Sequence, residues 1–206
     1  MENPCEQLIQ NIIDTEWNMF SSTQNIGGTA SCQQDKSRFV IMRKAQFLGW
    51  DADSLQCYFA DLMHAEGMGE NLVTLKYAYM MRSTDPEGYK NIEERLPKLS
   101  PEKEKIVEEL VADTVAWCLE FALRYPEIAS RGRALRSAED SIFSTSVETY
   151  SRGELSSYGM STLLALKKHY ASLKEKNINL HKCTVEREML LMGAGALDDI
   201  EMRLRG

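Results

Sequence analysis

The sequence predicts an all-α fold, an irregular multi-helix bundle of about seven or eight helices around a long central helix (101–125). Three observations predict it. No Asn-Gly or Asp-Gly hairpin dipeptide occurs anywhere in the 206 residues. Leu and Met together number 33, against 18 for Val plus Ile, and unbranched side chains lose less rotamer freedom in a helix. The five prolines fall at helix starts or in breaks and never inside an apolar periodic segment.

The first helix is expected over residues 4–20. Its start has Asn3 before Pro4 with Glu6 at capping-box spacing, and Leu8, Ile9, Ile12, Ile13, Trp17 and Phe20 make its 3.6-period stripe. Residues 21–34 read as the longest structureless stretch. A second helix over 35–50 turns Phe39, Met42, Phe47 and Trp50 inward. A third over 54–66 turns Leu55, Tyr58, Phe59 and Leu62 inward and breaks at Gly67-Met68-Gly69. A fourth covers 71–83, and Asp85-Pro86 starts a short one over 87–96. Ser100-Pro101 opens the longest, lined by Ile106, Val107, Leu110, Val111, Thr114, Trp117, Phe121 and Tyr125. An irregular region at 126–146 precedes helices over 157–176 and 185–203. Without a repeat, low-complexity tract or linker, 1–206 reads as a single helical domain.

Composition narrows the function classes. The net charge is −7 with a pI near 5.1, which disfavours phosphate backbones, so no nucleic-acid partner is expected. Arg131, Arg133 and Arg136 form a short basic cluster that Glu139 and Asp140 follow, read as a solvated or anion-pairing corner. No apolar run reaches spanning length and no signal peptide opens the chain, so no membrane is expected. The five cysteines are odd in number, widely spaced and without C-x-x-C, which fits free thiols in a reducing cytoplasm rather than disulfides or zinc.

Four segments carry candidate chemistry. Cys32 stands just before a helix start, where the dipole can lower a thiol pKa, and His64 could serve as its base. The simpler reading is a packed loop cysteine with Asp35 as N-cap. Asp61 and His64 share a helix face, but one such pair and three histidines do not make a metal site, and none is expected. The Gly67–Gly69 turn could hold an anion, yet it lacks the P-loop pattern and reads more simply as a C-cap followed by an N-cap. The hydroxyl-rich stretch 144–158, with Glu148 and Glu154, could line a pocket with acid/base groups; its simpler reading is a helix corner with Glu148 and Arg152 paired at i, i+4. Finally, Arg43 and Gln46 interrupt the second helix's apolar stripe. A buried Arg demands a carboxylate or a ligand anion, and Glu16 is the partner expected.

Several pieces together resemble a known family. They are Glu16-Trp17-Asn-Met-Phe20, Ala30-Ser31-Cys32-Gln33, Met42-Arg43-Lys-Ala-Gln46-Phe47 with Trp50, and Asn71-Leu72 with Lys76-Tyr77-Ala-Tyr-Met80-Met81. Ser146-Val-Glu148-Thr149-Tyr150 with Gly153-Glu154-Leu155 completes the set. The chain is similar over nearly its whole length to the uncharacterised prokaryotic family known as domain of unknown function 4125. The resemblance implies one domain and supplies no activity, cofactor or site residue.

Two function classes follow. One is a small-molecule-binding protein or enzyme whose polar pocket draws on Glu16, Gln33, Arg43, Gln46, Asn71, Tyr77, Tyr150 and Tyr158, with Cys32 as nucleophile and Glu148 or Glu154 as acid/base. Its cofactor is unknown. The other is a helical interaction module that binds a protein partner, or itself as a homodimer, through an apolar face. Convergence of the polar residues on one cavity favours the first.

Overall fold

The computed structural model describes residues 4–24 and 31–206, and of residues 4, 31 and 32 the backbone alone. Among the described residues it contains α-helices and no strand; a single bridge joins Ser141 and Ser144. The helices are α1 (Pro4–Ser22), α2 (Lys36–Phe47), α3 (Ala52–Gly67), α4 (Leu72–Thr84), α5 (Pro86–Lys90) and α6 (Pro101–Arg124). After them come α7 (Pro126–Ala129), α8 (Val147–Ser157), α9 (Met160–Glu175), α10 (Leu180–Leu191) and α11 (Leu197–Arg205). These are more helices than expected because α7 and α8 form in stretches without an expected helix and the last expected helix divides at its glycines.

Side-chain caps set most helix starts. Asp35, Asp51, Asn71, Ser100, Ser146 and Asn179 each accept a hydrogen bond from the backbone N–H three residues on. Pro101 follows its Ser100 cap as expected, and Asp85-Pro86 does the same for α5. The Asn3 cap of α1 lies outside the described residues.

Three segments depart from expectation. The stretch 144–158, given no helix of its own beyond the reading of a helix corner, is mostly the regular helix α8, opened by the Ser146 cap. The last helix is two, because Gly193 and Gly195 take φ of +70° and +103°, which ends α10 before α11 begins. Segment 87–96 splits into α5 and a 3₁₀ turn at Glu93–Arg95.

The α8–α9 boundary has a cap from elsewhere in the chain. Gly159 has no side chain to cap α9. Asp61 of α3 reaches across instead, accepting from Gly159 N at 2.7 Å and Thr162 Oγ1 at 2.6 Å. Asp61 is thereby committed to holding α3 against α9, while His64 on the same helix is exposed. Asp61→Ala should cost about 1–2 kcal/mol of stability in urea denaturation, the range of a lost N-cap, and Asp61→Asn should cost less.

The main core packs Ile12 and Ile13 of α1, Leu55 and Leu62 of α3, Val107 and Leu110 of α6 and Leu163 and Leu166 of α9. A smaller cluster of Phe121, Tyr125 and Leu197 joins α6 to α11. The long helix α6 packs mainly on α7, α8, α9 and α10, and α8 is wedged between α6 and α4. Contact between α4 and α8 is close because Gly153 has no Cβ. One placed there would stand 2.5 Å from Met80 Cγ and 2.9 Å from the Lys76 carbonyl oxygen. This approach brings the polar side of α8 over α4 and toward α1 and α2.

Candidate ligand-binding site

Where α1, α2, α3, α4 and α8 meet at the edge of the core lies a cavity of about 460 Å³. Its floor is a buried chain of charges. Arg43 on α2 donates from Nε to Glu16 Oε2 at 2.6 Å and from Nη2 to Glu16 Oε1, a bidentate pair with α1. Its Nη1 donates to Gln46 Oε1 at 2.7 Å and to Glu154 Oε1 of α8 at 2.9 Å. Lys76 Nζ of α4 meets the same Glu154 oxygen at 2.9 Å. The Tyr58 hydroxyl of α3 donates to Glu16 Oε1 at 2.5 Å. The expected Glu16–Arg43 pair is therefore present, extended by two residues into a neutral set of two carboxylates and two cations.

Only the planar guanidinium fork serves two carboxylates and an amide at once. Burial alone would lower the Arg43 pKa, but the Glu16 and Glu154 carboxylates outweigh it and hold the guanidinium firmly charged. For Glu154, burial would raise the pKa, yet Lys76 and Arg43 prevail and bring it down to about 2. Burial pushes the Tyr58 and Tyr158 hydroxyls up, so both stay protonated. The Tyr158 ring packs 4.5 Å from that of Tyr58, and its buried hydroxyl proton has no acceptor among the described residues.

Apolar and aromatic side chains make the walls: Phe20, Phe39, Met42, Leu72, Val73 and the rings of Tyr77 and Tyr150. Tyr150 is flanked by two cations, Lys76 Nζ at 3.7 Å and Arg133 Cζ at 4.6 Å from its ring centroid. At the rim stand Asp35, Arg38 and Arg133. The Asp35 carboxylate accepts from Arg38 N at the start of α2. Among the described residues neither the Arg38 nor the Arg133 guanidinium forms an ion pair.

A family model described as protein of unknown function (DUF4125) matches residues 6–202. The chain belongs to this family. The DUF4125 match takes in every segment that builds the cavity. No curated protein and no solved structure matches the chain.

In this DUF4125 fold the structure gathers six of the singled-out residues, Glu16, Arg43, Tyr77, Tyr150, Glu154 and Tyr158, on the cavity, with Gln46 bonded to Arg43 beside it. Others stand elsewhere. Gln33 is buried and donates to the Phe20 and Thr23 carbonyls, both at 2.8 Å, closing the end of α1. Asn71 caps α4 and donates to the Met19 carbonyl at 2.7 Å. Glu148 accepts from Ser137 N at 2.9 Å and pairs with Arg152 at 3.2 Å, the i, i+4 arrangement of a helix corner. The Cys32 side chain lies outside the described residues.

Sequence reading missed Lys76 and Arg38 as site residues, and took Arg133 as part of a solvated or anion-pairing corner rather than of the pocket. A signal for Lys76 was present, since it falls between Leu72 and Met80 on one helix face, just as Arg43 interrupts its own stripe. The basic cluster marked Arg133, but its place over Tyr150 depends on the path of the segment between α7 and α8.

Proposed function

We propose that the cavity binds a small organic anion with an apolar, ring-containing body, and that this is the working site of the protein. The observation that carries the reading is charge bookkeeping inside one convergent cavity. The buried carboxylates are matched by Arg43 and Lys76, which leaves Asp35, Arg38 and Arg133 at the rim. Among the described residues Arg38 and Arg133 form no ion pair, and the two outnumber Asp35, so the rim carries a net positive charge beside aromatic walls. The acidic chain as a whole makes that local positive rim selective rather than generally attractive to polyanions.

Binding is favoured over proton-transfer chemistry. Glu154 is held near 2, too weak a base at neutral pH, and both buried tyrosines are held protonated. The cavity floor thus presents fixed donors and acceptors. The reading also keeps the chain a single domain in the cytoplasm. Support for this comes from the span of the family match and from Cys57, Cys118 and Cys183, which are thiols and not disulfides. No helix among the described residues is long and apolar enough to cross a membrane.

The test uses 8-anilinonaphthalene-1-sulfonate, an aromatic anion whose fluorescence rises in apolar surroundings. One saturable site is expected. Val73→Trp, which fills the cavity, should abolish it with an unchanged helical circular-dichroism spectrum. Arg133→Ala should weaken binding about fivefold, the effect of losing one exposed charge contact. Undiminished binding to the Val73→Trp variant would contradict the assignment.

A further inference from the structure

A second cavity of about 280 Å³ lies behind the first, between α2, α6, α8 and α10. Arg43, Glu154, Tyr150 and Tyr158 line both, so the paired charges form a common wall. The two remaining shared residues, Met42 and Arg133, are both exposed. They are long, unbranched side chains that change rotamer cheaply. Among the described residues Arg133 is held by its contact with the Tyr150 ring and a 3.1 Å hydrogen bond to the Thr145 carbonyl. The partition is therefore rigid at its buried base and movable at its rim.

The rear chamber differs from the front in chemistry. Trp50, Trp117, Leu155 and Leu180 line it together with His181, Cys118 and the carboxylate of Glu188, whose pKa burial raises. Burial brings the His181 pKa down to about 4 and the Cys118 thiol up to about 12, so both are neutral at pH 7. The chamber opens to solvent as the front cavity does, and its large aromatic and aliphatic walls favour an apolar occupant over water.

We infer that the rear cavity is a second compartment of the same site, taking a neutral apolar branch of the ligand whose anionic end sits by Arg133 in front. The ligand then crosses the wall over the Tyr150 ring, between Met42 and Arg133. This inference rests on the anion-binding reading of the front cavity, and it makes the ligand a two-part molecule, a compact anion carrying a neutral hydrocarbon arm.

Benzoate and 4-butylbenzoate, titrated calorimetrically, separate the two claims. The butyl arm should tighten binding at least about tenfold, given roughly fourfold per buried methylene. Ser151 on α8 and Thr184 on α10 line only the rear cavity. Ser151→Phe should remove the butyl advantage and leave benzoate binding intact. Thr184→Phe, which fills the same space from another helix, should do the same and guards against a folding defect in the first variant. Benzoate binding without a butyl gain, or a gain that survives in both filled variants, would overturn the rear compartment while leaving the front site standing. Failure of both probes to bind the unaltered chain would overturn the anion-site reading itself.

Discussion

Arg43→Met is expected to lower folding stability by about 3–5 kcal/mol in urea denaturation at pH 7. The loss comes less from the bonds removed than from what is left behind. Glu16 and Glu154 would remain buried, with only Tyr58 donating to the first and Lys76 pairing the second. An uncompensated carboxylate in that setting is far costlier than a missing hydrogen bond. Arg43→Met with Glu16→Met removes one cation and one carboxylate together, and the Lys76–Glu154 pair survives at 2.9 Å. The double variant should therefore recover at least half of the single variant's loss. A double variant as unstable as the single one would mean that Glu16 is not the group Arg43 neutralises.

Glu154 gives the other large effect, read through pH. Its pKa of about 2 in the fold lies below the ordinary 4.5. The unfolded chain thus takes up this proton first as the solution is acidified. The stabilisation is fully present above about pH 4.5 and disappears as pH falls toward 2. A depression of this size corresponds to about 3 kcal/mol. Glu154→Gln should lose most of that at pH 7, and its stability should vary less than the parent's between pH 5 and pH 2. Parallel curves for the two proteins across that range would show that Glu154 is not held ionised by Lys76 and Arg43.

The fold was readable where local chemistry decides it. Ser100-Pro101 and Asp85-Pro86 place helix starts by their own caps, and the apolar stripes of α1, α3 and α6 are the stripes that fill the core. Arg43 stood out because a guanidinium on an apolar face needs a partner, and Glu16 was within reach of that logic. Breaks set by distant residues were not readable. The expected start of α9 at residue 157 falls a little early, because the carboxylate that fixes it at Gly159 comes from Asp61 in α3. The candidate site was readable in part for the same reason. Glu154 sits in a hydroxyl-rich stretch whose simpler reading was a helix corner, as the structure has it. Its role appears only once Gly153 lets α8 approach α4 and Lys76 arrives from the far side. Gln33 and Asn71 looked like pocket residues by type, but both spend their amides on the end of α1.

The central claim is that the charged floor and aromatic walls hold a small organic anion. A crystal structure of the protein grown with 8-anilinonaphthalene-1-sulfonate tests it most directly. The account predicts the dye inside the cavity, its rings against Phe39 and Tyr150 and its sulfonate beside Arg133 or Arg38, with the Glu16–Arg43–Glu154–Lys76 chain unbroken beneath it. Dye bound elsewhere on the surface, with this cavity empty or collapsed, would contradict the account.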